Sequence, residues 1–343
     1  MQLTDLYRHM ARSRAVELAV EDLWNQGLVS GEMHLGTGEE AVAAGVVTHL
    51  RDGDGLALTH RCTPALVVRG VALVPLLREL LGRTDGMCGG RGGHMHLMAK
   101  EQLAATSGIV GASLPLGAGF ALAAKRLRRG AIGVSFVGDG ALNQGMALET
   151  LNLSVAWSLP HLVVCIDNGW AITTPAGSVT AGDLLGRARA FGWNAEQVDG
   201  TDVVEVHRVA GLLVDRARKG HGPTFLHAKC PRLDGHFLGD PLLRQVHHPM
   251  GAEVKQTMSD VLGGVTTAGG GGLLARAASM LSMVGVMAKA RLDASRDGAG
   301  DPMQIVGRAM AKQASERERI DDEVKREVAA AVATALAEGG DHG

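Results

Sequence analysis

Ile132-Gly133-Val134-Ser135-Phe136-Val137-Gly138-Asp139-Gly140 and, one helix later, Leu162-Val163-Val164-Cys165-Ile166-Asp167-Asn168-Gly169 decide the fold of this chain. Each is a short apolar run that ends in a polar turn. The stretch between them, from roughly 143 to 158, reads as a helix. Strand, helix and strand of this length make a βαβ unit, whose sheet is parallel and covered on both faces. Downstream, a helix near 203–219 and a strand from Thr224 to Ala228 extend the unit. Upstream lie helices over 2–27, 39–50 and 71–82, a strand Leu56–Thr59 and a small-residue helix from about Leu116 to Lys125. The first helix sets Leu3, Leu6, Tyr7 and Met10 on one face. The fold class is therefore α/β, a doubly wound mostly parallel sheet running from about residue 30 to 235, with helical N- and C-terminal extensions.

Three segments follow: residues 1–241 as the α/β domain with its N-terminal helix, 242–300 as a Gly/Met-rich, flexible insertion, and 301–343 as a C-terminal helical region opened by Asp301-Pro302. A Met-rich helix is expected over 273–292. Arg276 and Lys289 interrupt it, leaving too short an apolar run to span a bilayer. The start shows no basic-then-apolar leader, so a cytoplasmic location is expected, without a membrane partner. A net charge of -2 over 343 residues excludes a general nucleic-acid binder. Cys62, Cys88, Cys165 and Cys230 lack the spacing of a zinc or redox motif and are expected as free thiols.

Asp139 and Asn168 sit at the ends of the two deciding strands, one crossover apart. In open α/β sheets ligands bind beyond the carboxyl ends of the strands. A carboxylate and an amide oxygen suit magnesium, a hard cation with oxygen ligands. Gly140 lets the backbone approach a phosphate, and the helix that follows offers unpaired N–H groups. Asn143 is placed to cap that helix or orient the site. Either turn alone would be ordinary; the pair at two strand ends reads as a ligand site. A nicotinamide-binding alternative requires Gly-x-Gly-x-x-Gly after the first strand, and the glycines at 89–93 do not give it.

The pattern from Gly138-Asp139-Gly140 to Asn168 resembles the thiamine-diphosphate motif. Gly108-Ile109-Val110-Gly111 with Pro115-Leu116-Gly117-Ala118-Gly119, His34-Leu35 with Gly38-Glu39-Glu40-Ala41, the stretch Gly90 to His96, and Val198-Asp199-Gly200 widen the resemblance. Together they resemble the alpha subunit of the 2-oxoacid dehydrogenase family (pyruvate, branched-chain 2-oxoacid and acetoin dehydrogenases), from about residue 5 to 241. The resemblance implies a thiamine-diphosphate-binding fold. It implies that Arg61 and, in place of a usual tyrosine, His60 contact the diphosphate. Gly108 and Val110 would hold the aminopyrimidine through their backbone. Asp139, Gly140, Ala141, Asn168 and Trp170 would hold cofactor, with Asp139, Asn168 and the Trp170 carbonyl on magnesium.

The same resemblance marks His236 and His34 as active-site histidines, since imidazole titrates near neutrality. His94, His96 and the pair His247-His248 stay unassigned. The family's catalytic glutamate comes from a beta subunit, and Glu149 is no equivalent. An alpha2beta2 assembly and a lipoyl-bearing acyltransferase partner are therefore implied. So is a reaction that cleaves acetoin or oxidatively decarboxylates a 2-oxoacid such as pyruvate and passes the acyl group to lipoamide. His60-Arg61-Cys62-Thr63-Pro64 departs from the usual Tyr-Arg-x-His-Gly, which admits a catalytically altered cofactor-binding relative. Phe237 stands where regulated mitochondrial members carry a phosphorylated serine. Gly235-His236-Phe237 with Gly239-Asp240 leans to the acetoin branch, and Asn168 to Ile172 leans to branched-chain enzymes.

Overall fold

Strand β4 (Gly133–Gly138) lies beside β5 (His161–Asp167) in parallel, with Gly133 opposite His161 and Gly138 opposite Ile166. Helix α6 (Gly145–Ala156) makes the crossover between them, and a short 3-10 turn, Gly140–Asn143, precedes it. The computed structural model describes residues 1–240 and 300–337, with scattered positions from 272 to 288. Most of the 242–300 insertion and of the helix expected over 273–292 lies outside the described residues, as does the pair His247-His248.

Numbered along the chain, the remaining elements are α1 (Leu3–Asn25), α2 (Glu40–Val47), β1 (Gly55–Leu58), α3 (Thr63–Val68) and α4 (Leu73–Leu80). Next come β2 (Met98–Ala99), β3 (Ala104–Thr106) and α5 (Ser113–Leu127). After β5 follow a hairpin of β6 (Trp170–Ala171) and β7 (Thr174–Pro175), then α7 (Leu184–Ala190), β8 (Asn194–Asp199), α8 (Val203–Arg218) and β9 (Thr224–Lys229). Two helices close the chain, α9 (Pro302–Ala309) and α10 (Ala314–Leu336).

The main sheet has the order β2-β3-β1-β4-β5-β9-β8. All its pairs are parallel except β2 with β3. Its strands β1, β5 and β9 are buried apart from the last residues of β5 and β9, Asp167 and Lys229, as a sheet covered on both faces requires. Small residues set the helix-to-sheet distance: a Cβ on Gly117 of α5 would lie 1.9 Å from Ser135 Oγ of β4. The cysteines Cys62, Cys88, Cys165 and Cys230 are free, three of them buried. No helix of the described residues is long and apolar enough to cross a membrane.

Several elements lie beyond the periodic signal. Strand β8 is an edge strand in which only Ala195 and Val198 are buried, so its sequence is mostly polar. Helix α7 is short and held by Asp183, whose carboxylate accepts from the Leu185 and Gly186 amides. Helix α3 opens with Pro64 in its first turn, a favoured place for proline.

The two chain ends share one core. Leu6, Tyr7, Met10, Val16 and Val20 of α1 are buried in the same cluster as Ile320, Val324 and Val328 of α10, and Leu3 packs against its edge. Tyr7 donates to Asp321 at 2.7 Å, and Arg12 reaches Glu327 at 2.8 Å. Deeper in, Arg14 of α1 donates from Nε to Glu40 at 2.5 Å and from both Nη atoms to Asp301 at 2.9 and 3.1 Å. Glu40 and Asp301 are almost wholly buried, so this one guanidinium balances two desolvated carboxylates. Arg14→Ala leaves both uncompensated and should cost about 3–5 kcal/mol in urea unfolding. A loss under about 1 kcal/mol would show that the α9 entry is not anchored through Arg14.

Candidate functional site

The chain enters β1, passes to β3 on one side of it, and then crosses to β4 on the other side. The order thus reverses at β1 and β4, and the crevice beyond their carboxyl ends is where open α/β sheets bind ligands. A cavity of about 280 Å³ opens there. It is lined from β1 by Thr59, His60 and Arg61, from the β3–α5 loop by Ser107, Ile109, Val110 and Gly111, and from the β4 end by Asp139, Gly140 and Ala141. Asn168 and Trp170 follow β5, and His236 follows β9. Of the residues expected at the site, Gly108 and His34 do not face the cavity. Gly108 sits in the loop between two lining residues, where a Cβ would meet Met95 Sδ at 2.9 Å.

Asp139 is almost wholly buried, and its Oδ2 has no hydrogen-bond partner among the described residues. Its neighbour Asp167 is engaged twice, accepting from His227 Nε2 at 2.8 Å and from the Gly169 amide at 3.1 Å. The β4–β5 register puts these carboxylates side by side, since the Asp139 amide donates to the Ile166 carbonyl at 3.1 Å. Burial, with the Asp167 charge second, pushes the Asp139 carboxyl up to about 7. Asn168 Oδ1 accepts from the Trp170 amide at 3.2 Å and keeps a second lone pair. A buried carboxylate oxygen without a partner, next to an amide oxygen, is the donor set a hard divalent cation takes. Gly140 is fitted against the hairpin, where a Cβ would meet Ala171 Cβ at 2.8 Å. The donor set and the close backbone fit the expected metal and diphosphate. Asn143 takes another part: it donates to Thr180 and accepts from Arg187, both at 3.0 Å, and does not cap α6.

Arg61 is buried and makes no surface ion pair. Its Nη1 donates to the Leu35 carbonyl at 2.7 Å and its Nη2 to the His236 carbonyl at 2.6 Å. One guanidinium therefore ties the loop before α2 to the loop after β9. Around it four imidazoles converge. The ring of His34 lies 4.5 Å from His60, 4.7 Å from His236 and 5.1 Å from His94. Burial first, and the Arg61 charge second, hold His34 down to about 3, His60 to about 2, and His94 and His236 to about 4. All four rings are neutral at physiological pH.

Sequence reasoning missed Glu39, Gln144, Ile172 and Arg232 in the lining. Arg232 donates to the Ile172 carbonyl at 2.8 Å and stacks over the Trp170 ring at 5.4 Å, holding the hairpin beside Asn168. Its signal was present: it lies in the quoted run that carries His236. Burial pushes the Glu39 carboxyl up to about 8, against the lowering effect of Arg61. His94 reaches the cluster through Glu79. That buried carboxylate accepts from the amides of Cys88, Gly90 and Gly92 at 2.7–2.8 Å and so shapes the glycine-rich loop. His94 Nε2 then lies 2.8 Å from His34 Nδ1.

The family profile of the dehydrogenase E1 component matches residues 8–257. The alpha subunit of acetoin:2,6-dichlorophenolindophenol oxidoreductase from Cupriavidus necator is 43% identical over 241 residues, 69% of this chain and 72% of that protein. The alpha subunit of the same name from Bacillus subtilis is 39% identical over 68% of this chain and 71% of its own length. The pyruvate dehydrogenase E1 component subunit alpha of Zymomonas mobilis is 37% identical over 70% of this chain and 69% of its own.

The raised Asp139 carboxyl sets the sign of a pH effect. Below about 7 it holds a proton that a divalent ion must displace. Magnesium affinity should fall about tenfold per pH unit below that point and level off above it. Calorimetric titration with magnesium between pH 5.5 and 8.5 checks this, with Asp139→Asn expected to lose most of the affinity and the slope. A flat profile in the unsubstituted chain would remove Asp139 from the metal site.

Proposed function

Because the chain belongs to the dehydrogenase E1 component family, we propose that it holds thiamine diphosphate through magnesium in the switch-point cavity and cleaves acetoin with a beta subunit. It is an E1 alpha subunit of the acetoin or pyruvate dehydrogenase type. The observation that carries the cofactor reading is the buried, unpartnered Oδ2 of Asp139 beside Asn168. The acetoin branch is favoured over pyruvate by the Gly235-His236-Phe237 loop and by the higher identity to the two acetoin oxidoreductase subunits.

In this reading Asp139, Asn168 and the carbonyl of Trp170 hold magnesium, with Gly140 and Ala141 against the diphosphate. His60 and Arg61 face the diphosphate, and the loop with Gly108 and Val110 holds the aminopyrimidine. When bound, thiamine diphosphate supplies the carbon nucleophile and the electron sink. The protein's contribution is position and proton traffic. Arg61 fixes the His236 loop by its carbonyl. His236, kept neutral by burial, can accept or donate a proton at a ring nitrogen, and His34, behind the lining, meets its ring at 4.7 Å. Burial within the crevice excludes water from the reacting carbon.

The site is open on one side, where Ile109, Val110 and Ile172 stay more than half exposed. Met146 and Leu153 of α6 and Trp157 at its C-cap leave large apolar side chains exposed. Such a face calls for a partner. The beta subunit of an alpha2beta2 assembly would cover it and bring the carboxylate that acts on the aminopyrimidine. A lipoyl-bearing acyltransferase would then take the acyl group.

Two measurements test this. Turnover with a dye acceptor should require the beta chain and prefer acetoin over pyruvate and branched 2-oxoacids. Turnover by the alpha chain alone would overturn the split site, and its absence with every substrate would favour a catalytically altered relative. In the assembly, His236→Ala should keep cofactor affinity, because Arg61 grips the backbone carbonyl of residue 236 rather than its ring. It should slow turnover by about a hundredfold to ten-thousandfold. An unchanged rate would make His236 a loop residue only.

A further inference from the structure

We propose that His34, His60 and His236 form a three-imidazole site for a zinc-class divalent ion, distinct from the oxygen site at Asp139, and that filling it blocks the cavity. One ligand nitrogen from each ring lies within 4.8 Å of the other two. The ring centres stand 4.5, 4.7 and 5.6 Å apart. Metal–nitrogen bonds of about 2.0–2.1 Å in a tetrahedral site put imidazole centres about 5 Å apart, so the rings already have the spacing of a three-histidine centre. The nitrogens need to close by about 1 Å to reach bonding distance. A side-chain rotation of His236 can supply that movement while Arg61 keeps hold of its carbonyl.

Two further features point to a ligand. His60 Nε2 is buried and has no hydrogen-bond partner among the described residues, a cost that a metal bond would remove. The outer nitrogen of His34 is held, its Nδ1 lying 2.8 Å from His94 Nε2, the kind of contact that orients a ligand histidine and leaves its Nε2 for the ion. His236 Nδ1 accepts from Arg61 Nη2 at 3.3 Å, so this ring has to exchange that contact, or move its proton from Nε2, when an ion binds. Neutral imidazole suits zinc, cobalt, nickel and copper and not magnesium, so the two sites sort their ions by chemistry. The Arg61 charge opposes a dication. The expected occupant is therefore an ion removable by chelation, not a permanent structural metal.

His60 stands where the resemblance places a tyrosine, so a phenol there leaves two imidazoles. Because His60 and His236 line the cavity, an ion between them occupies the room of a substrate. This blocking role rests on the proposed active site; the metal site itself does not.

The test uses the full chain assembled with its beta partner, stripped with a chelator and kept in excess magnesium to fill the oxygen site. Cobalt(II) is titrated and its visible absorption recorded, followed by displacement with zinc. One four-coordinate cobalt per alpha chain is expected. Its affinity should fall at least about a hundredfold in His60→Tyr and in His236→Gln, and about ten- to a hundredfold in His94→Gln. His221→Gln, on the exposed surface, should leave it unchanged. Far-ultraviolet circular dichroism confirms that each variant is folded. Absent cobalt absorption, or equal affinity in both ligand variants, overturns the site. Zinc should suppress turnover of the unsubstituted assembly reversibly, while His60→Tyr keeps its own chelator-treated rate in zinc. Turnover indifferent to zinc, with cobalt bound, overturns the blocking role. Absence of turnover without zinc counts against the functional reading, and the cobalt titration still decides the site.

Discussion

A carboxylate oxygen without a partner sits at the end of the central strand, and the rest of the site is arranged around that fact. Asp139 is buried beside Asp167, and only Asp167 has a hydrogen-bond partner for each oxygen. Leaving a buried charge unpaired is costly, and burial accordingly pushes the Asp139 carboxyl up to about 7. The β4–β5 register makes the juxtaposition unavoidable. Close approach of α5 to β4 through Gly117 and Ser135 keeps the two strands where the register needs them.

Loops far apart in sequence are gathered by a few buried polar groups rather than by apolar packing. Arg61 binds carbonyls at Leu35 and His236. Glu79 gathers three amides of the loop that ends at His94. Arg232 steadies Trp170 and the carbonyl of Ile172. Each of these groups satisfies orphaned backbone atoms of an irregular loop, which is the condition for burying such a loop at all. The outcome is a rigid polar floor under a cavity whose mouth is apolar and open. That open apolar mouth is the side a partner subunit would cover.

The His60-Arg61-Cys62-Thr63-Pro64 segment shows how local sequence redirects chemistry within a shared fold. Pro64 starts α3 at once, so Thr63 and Pro64 are buried helical residues, and the histidine and glycine of the family pattern have no counterpart. His60 brings an imidazole into a wall already holding His34, His94 and His236. Four neutral rings beside one guanidinium make a site poor in net charge and rich in nitrogen donors. Of these five groups only the Arg61 guanidinium carries a charge that would draw an anion.

By itself the sequence determined the parallel sheet, the helical ends and the pairing of Asp139 with Asn168, because those rest on period and on residues placed at strand ends. Apolar runs such as Leu162–Ile166 have to be covered on both faces, and the turn after them has to project at the crevice. The family resemblance added Arg61 and His236 to the site. Short or polar elements, α3, α7 and the edge strand β8, carried no comparable signal, since caps and neighbours hold them instead of their own pattern. The tertiary structure alone decided that α10 packs on α1 through Tyr7 and Asp321, that Arg61 reaches the His236 carbonyl, and that His94 meets His34. Those contacts join residues up to 314 positions apart, and hydrogen bonds between such distant groups leave no periodic trace in a chain.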